Sequence, residues 1–234
     1  MFPDFEERPS DSPLVERVWR SNSEHASSFN SISVTCWSMV ISKREGRISV
    51  SIHGPKTGAT CMDLPAELEW FGINFKLGTF MPHIPPSSIM DGIITLPEAA
   101  DHSFWLGSSA WQFPNYENAD TFVNRLVREG LLTCDPVVNE INKGKSPTRS
   151  LRTIQYRFLC STGLSQRTIR QIERARYAAA LLKQGVSIFD TVYEAGYSDQ
   201  PHLTRALKYF IGYTPIEVLT SPIIALHTSS TKFC

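Results

Sequence analysis

The chain has 234 residues, 41% hydrophobic and 20% charged, and 23 Lys+Arg balance 23 Asp+Glu. Those totals exclude a disordered or fibrous chain and leave room for two ordinary domains. The zero net charge conceals a division: residues 1–142 hold 10 Lys+Arg and 18 Asp+Glu, a net of −8, and residues 143–213 hold 12 and 4, a net of +8. An acidic front and a basic back imply that the back half meets nucleic acid or an anionic surface.

The opening "MFPDFEERPSDSP" is acidic and lacks the apolar core of a signal peptide. No apolar run approaches the roughly 18 residues of a membrane span, so no membrane partner and a cytoplasmic location are expected. Cys36, Cys61, Cys134, Cys160 and Cys234 are scattered and form no CxxC, which favours reduced thiols over a zinc ribbon or a thioredoxin-type redox site.

From about Ser31 to Leu77 the hydrophobic period is two. "VTCWSMVI" and "RISVSI" read as strands joined through "KREG", with Gly46 at the position that needs a positive φ. Phe71, Ile73, Phe75 and Leu77 alternate with smaller or polar residues and give one buried sheet face. Gly54, Pro55, Gly58, Pro65, Gly72 and Gly78 punctuate the segment, as short strands with turns require. An antiparallel β barrel or sandwich, cupin-like, is expected. Residues 80–117 read as loop-rich, with "MPHIPPSS" an extended connector and Trp105 and Trp111 plugging the barrel or its junction.

From Asp120 the period changes to 3.6. Phe122, Val123, Leu126 and Val127 make an apolar stripe closed by Gly130. Asp135-Pro136 is a capped helix start, with Val137, Val138 and Ile141 on its buried side and Gly144 at its end. After the loop "KSPTR", Ser150 caps a helix with Ile154 and Phe158 inside, closed by Gly163. A longer helix spans about Ser165 to Gln184, with Ile169, Ile172, Tyr177, Ala180 and Leu181 apolar and Gly185 as its stop. Ser187 caps the next, with Ile188, Val192 and Ala195 inside and Gly196 at its end. The last full helix places Leu203, Leu207 and Phe210 on one face and Gln200, His202, Thr204, Arg205 and Lys208 on the other. Thr214-Pro215 starts a final short turn of helix.

The basic half is thus a duplicated pattern around a long linker helix. "SLRTIQYRFLCSTG" and "DQPHLTRALKYFIG" both set a polar block, an aliphatic, a basic or amide residue, an aromatic and a closing Gly in one order. "GYSDQPHLTRALKYFIGYTP" resembles the second helix-turn-helix of AraC-family transcriptional regulators. "RTIRQIERARYAAALLKQGVSI" resembles that family's linker helix, and "SLRTIQYRF" its first recognition helix. The resemblance covers about residues 131–220. The front half resembles the β-rich sensor of the same family far less specifically.

The resemblance implies an α+β chain: residues 1–117 a β-rich sensor or oligomerisation domain, 118–220 an all-α DNA-binding domain with two helix-turn-helix motifs, and 221–234 a tail. It implies double-stranded DNA as partner, read in the major groove by Arg152, Gln155 and Tyr156 from the first motif and Gln200, His202 and Arg205 from the second. Arg149, Ser150 and Thr204 would lie at the DNA backbone. The residue types suit the task, since Arg pairs with guanine, Gln with adenine, and hydroxyls with phosphate. Tyr156 departs from the pattern, standing where relatives often carry Arg. Pro201 removes an N–H in the first turn that would otherwise be open to a phosphate. A small-molecule effector, a homodimer partner and RNA polymerase are further partners the resemblance allows; no cofactor and no catalysis are expected.

Other readings of the same residues are weaker. His25, His53, His83 and His102 include no HxH pair and match no common metal-ligand spacing. "KGKS" at 143–146 resembles a phosphate-binding loop, but Asn139 stands where that motif needs Gly, and the stretch follows a helix. Trp37, Trp70, Phe71, Phe75, Trp105 and Trp111 suit either a ligand cavity or a barrel core. Two alternatives stay open: a cupin-like binding protein or enzyme with an appended DNA module, and a protein-interaction module whose basic helices meet an acidic partner.

Overall fold

Alternation of β-branched and aromatic side chains with polar ones makes the front half a set of antiparallel strands. The computed structural model describes residues 5–145 and 148–220, so Ser146 and Pro147 of the expected loop, Cys234 and the whole expected tail lie outside it. The first eight strands are β1 (Phe5–Arg8), β2 (Val15–Ser23), β3 (Ser27–Ser31), β4 (Ser38–Arg44), β5 (Arg47–His53), β6 (Thr60–Leu64), β7 (Leu68–Phe75) and β8 (Thr79–Phe80). A single 3-10 turn at Pro86–Ser88 precedes β9 (Ile93–Thr95), β10 (Glu98–Ala99), β11 (Ser103–Leu106) and β12 (Ser109–Gln112).

Six strands form the main sheet in the order β1-β2-β7-β4-β5-β9, and among the described residues this order does not close on itself. β10, β11 and β12 form a second sheet, and β3 pairs with β6. The β4–β5 hairpin turns through Glu45 and Gly46, both at positive φ (51° and 78°), with Arg44 opposite Arg47. Two positive φ values are what a two-residue turn needs to match the strand twist.

The inner face of the main sheet carries Val18, Met39, Ile41, Val50, Ile52, Ile73 and Phe75. Phe104, Leu106 and Trp111 of the second sheet pack against it in the same core. Trp37 stacks on Phe75 with centroids 4.0 Å apart and donates its indole N–H to the Thr79 carbonyl at 2.6 Å. Of the two tryptophans expected as plugs, Trp111 is buried, but Trp105 points outward and is 46% exposed. Adjacent positions on β11 and β12 alternate faces, so the two rings could not both turn inward unless they shared a face. The segment expected to be loop-rich contains the β11–β12 hairpin, whose strands are too short for periodicity to reveal.

The helical half opens with α1 (Ala119–Arg128), followed by the short strand β13 (Thr133–Cys134), which pairs with β8. Ala119, Phe122, Val123 and Leu126 of α1 lie in the β core. Next come α2 (Pro136–Asn142), α3 (Leu151–Thr162), α4 (Gln166–Lys183), α5 (Ile188–Glu194), α6 (Gln200–Phe210) and α7 (Pro215–Thr220). Two helical cores result. One joins Val137, Val138, Ile154, Phe158, Ile169 and Ile172; the other joins Ala175, Ala178, Leu182, Leu203, Leu207 and Val218. Helix α4 contributes to both and therefore fixes the two motifs to each other. Tyr177 departs from its expected place and is half exposed, because the small Ala175, Ala178 and Ala179 carry the buried stripe. Among the described residues no helix is long and apolar enough to cross a membrane.

Candidate nucleic-acid interface

Each helix of the two motifs starts at a side chain that accepts from its first turn. Asp135 accepts from the N–H groups of Val137 (2.9 Å) and Val138 (3.1 Å), Ser150 from Thr153, Ser165 from Thr168, Ser187 from Asp190 and Asp199 from His202. Gly163 closes α3 at φ 74°. These local signals set where α3 and α6 begin and hence which residues face out.

On α3, Ile154 and Phe158 point inward, while Arg152, Gln155 and Tyr156 are exposed on the opposite side. Arg149 is also exposed just before the helix. Ser150 is engaged locally, since its hydroxyl lies 2.9 Å from that of Thr153 as well as capping the helix. The Tyr156 hydroxyl lies against Cys160, which pushes its pKa up. Arg157, one position on, turns instead toward the buried Asp135 at 3.3 Å and ties α3 to the start of α2.

On α6, Leu203 and Leu207 are fully buried, and Gln200 and Arg205 are exposed. Thr204 turns its hydroxyl back to the Gln200 carbonyl at 2.9 Å. His202 is half-buried, its ring edge-on to Tyr197 with centroids 5.1 Å apart and its Nδ1 3.1 Å from the Ser198 hydroxyl. Arg174 of α4 covers the other aromatic contact of this turn, 4.3 Å from the Tyr197 ring centre. The hydrogen bond from the His202 N–H holds the Asp199 carboxyl below the usual carboxylate range, helped by Ser198 and by the charge of Arg205. The side chains of Arg152, Gln155, Gln200 and Arg205 make no hydrogen bond among the described residues and lie exposed on outer helix faces, whereas His202, Ser150 and Thr204 are partly committed within the fold.

Sequence reasoning missed the contacts between the halves. The Ser33 N–H donates to the Phe210 carbonyl and the Ala59 N–H to the Tyr209 carbonyl, both at 2.8 Å, so the front domain caps the C-terminal end of α6. The 3-10 turn packs at the end of α3, where a Cβ on Gly163 would stand 3.1 Å from the Pro86 backbone. Between these points the Thr35 hydroxyl donates to Glu173 of α4 at 3.2 Å, and Glu173 pairs with the buried Arg176 at 3.5 Å. Burial raises the Glu173 pKa against the opposing effects of Arg176 and Thr35. No short-range signal announces the contacts between the halves, which join residues more than seventy positions apart. The contacts land on helix ends and on α4, leaving the outer faces of Arg152 and Arg205 in water.

A cavity of about 560 Å³ opens at one end of the main sheet, with Ile41, Ile48, Phe71 and Phe113 as its apolar wall and Arg20 and Lys43 at its rim. Among the described residues no three His, Cys, Asp or Glu side chains come together in a metal-holding group.

Two capped helix pairs, each with one polar outer face, braced by one linker helix, are the geometry of a DNA-binding double helix-turn-helix. The comparison with protein families agrees: residues 148–221 match the helix-turn-helix domain family, so this part of the chain is a helix-turn-helix domain of the AraC type. Two solved structures of ToxT from Vibrio cholerae are similar to the chain. One is 12% identical with a TM-score of 0.40, covering 92% of this chain and 97% of that one. The other, with (E)-4-(8-methylnaphthalen-1-yl)but-3-enoic acid bound, is 13% identical with a TM-score of 0.40, covering 92% and 98%. Curated protein sequences give no match.

Proposed function

We propose that this protein is a sequence-specific transcriptional regulator that reads duplex DNA with α3 and α6 in successive major grooves and takes its control from the front domain. The observation that carries the reading is the outward placement of Arg152 and Gln155 on one helix and Gln200 and Arg205 on the other, with α4 packed into both motifs. Arg and Gln are the side chains that pair two-pronged with guanine and adenine edges. The +8 balance of residues 143–213 supplies the phosphate attraction.

The functional division we propose falls after α1, whose buried side belongs to the β core. In this reading the cavity at the end of the main sheet takes a small-molecule effector, because its apolar wall and charged rim suit a molecule with an apolar body and a polar end. The front domain touches the ends of both recognition helices, so any effector that favours one seating of that domain shifts how they meet DNA. A second copy of the chain and RNA polymerase are partners for surfaces the DNA leaves uncovered.

Selection of duplexes from a random pool by the full chain, repeated across salt, tests the reading. A shared motif spanning two adjacent major grooves, bound less tightly as salt rises, is the expected result. Absence of binding at every salt concentration overturns it.

A further inference from the structure

The two recognition helices present chemically different outer faces. Leu151 is 78% exposed and Leu159 51% exposed on α3, although the inner side of that helix is already supplied by Ile154 and Phe158. Leu151, Gln155 and Leu159 follow one another at four-residue steps, so they form one file along the helix with the amide in the middle. Arg152 and Tyr156 form the adjoining file. On α6 the aliphatic residues Leu203 and Leu207 are fully buried, and the outer positions are Gln200, Arg205 and Lys208.

We propose that α3 reads its half-site largely through thymine methyl groups, which Leu151 and Leu159 contact on either side of an adenine held by Gln155, while α6 reads its half-site through hydrogen bonds. This rests on the DNA reading above. Charge decides the occupant of the leucine face: residues 141–172 hold seven Lys+Arg and no Asp or Glu, so the leucines stand in a field that attracts a polyanion. Within duplex DNA, the apolar group offered to a major-groove helix is the thymine methyl. Turns of helix rise about 5.4 Å, so Leu151 and Leu159 reach base steps on both sides of the pair that Gln155 meets. The α3 half-site is then A·T-rich, and its sequence preference depends little on hydrogen-bonding side chains other than Gln155 and Arg152.

The test uses the full chain and an operator selected from a random pool, with thymine replaced by deoxyuridine in one half at a time. This exchange removes a methyl group and leaves the base pairing intact. Affinity is expected to fall about fourfold for each methyl lost in the α3 half, the weight of one buried methyl group, and by less than about twofold in the α6 half. Arg205→Ala, which relaxes preference only in the α6 half, tells the two halves apart. Leu159→Ala should bind the thymine and deoxyuridine duplexes alike at its position. Equal affinity of the unmodified protein for both duplexes overturns the proposal without any variant, and persistent methyl sensitivity in both Leu151→Ala and Leu159→Ala overturns the assignment to the leucines. Enrichment of no duplex at all would point to an acidic protein partner and defeat the DNA reading as well.

Discussion

Arg152, Gln155, Gln200 and Arg205 keep their polar ends in water because each sits opposite a buried aliphatic file on its helix, and because the caps use other side chains. Asp135, Ser150 and Asp199 accept from backbone donors that helix starts leave unpaired. A different residue contributes to acid sensitivity. His53 ends β5, its ring 2.9 Å from the Ser51 hydroxyl, and burial with the nearby Lys56 pushes its pKa down to about 4. A histidine whose folded pKa lies below the unfolded value of 6.5 binds its proton more readily in the unfolded chain. Its contribution to stability is therefore full above about pH 6.5 and is lost as pH falls toward 4. The shift corresponds to about 3 kcal/mol across that window. Urea unfolding at pH 7 and pH 4.5 should show a smaller loss for His53→Gln than for the unmodified protein; equal losses would show that His53 titrates normally.

At the scale of elements, the strands and the loops between them are joined by backbone approaches that leave no room for side chains. Gly54 follows β5, and its N–H donates to the Gly92 carbonyl at 3.0 Å. A Cβ there would lie 1.7 Å from the Ile89 carbonyl oxygen, a backbone atom that cannot swing aside. Gly54→Ala should cost about 3 kcal/mol in urea unfolding, as for other forced backbone shifts. Gly58→Ala, whose nearest neighbour is the Tyr209 ring at 3.6 Å, should stay within about 0.5 kcal/mol. A tolerated Gly54→Ala would mean that the 86–92 segment moves freely. Local chemistry made most elements legible in advance: Asp135-Pro136, Ser150 and Ser187 mark helix starts, Gly163 and Gly196 mark ends, and Gly46 marks the hairpin turn. Outer faces of α3 and α6 followed from the same periodicity. The β11–β12 hairpin escaped because four-residue strands hold too few alternations to count. Trp105 and Tyr177 escaped because an aromatic residue at the right spacing still depends on what lies opposite it. His202 falls on the polar side by spacing, yet its ring packs edge-on to Tyr197, a contact that spacing along one helix does not reveal.

Across the whole molecule, the front domain touches the C-terminal ends of α3 and α6 and grips α4 between them through Thr35 and Glu173. Arg17 and Arg176 lie near this grip, and each buries a guanidinium Nε with no acceptor among the described residues. A buried donor left without an acceptor costs stability, so these two guanidinium groups weaken the packing around them. If α3 and α6 enter DNA together, as proposed, chemical interference on a selected operator will detect both. Modification of purine N7 and of phosphates, one site at a time, maps which positions the bound full chain needs free. Two major-groove windows on one face of the duplex are expected, about one helical turn or 34 Å apart, with Arg152→Ala erasing contacts in one and Arg205→Ala in the other. A single window, or loss of the same contacts in both variants, would contradict joint entry by the two helices.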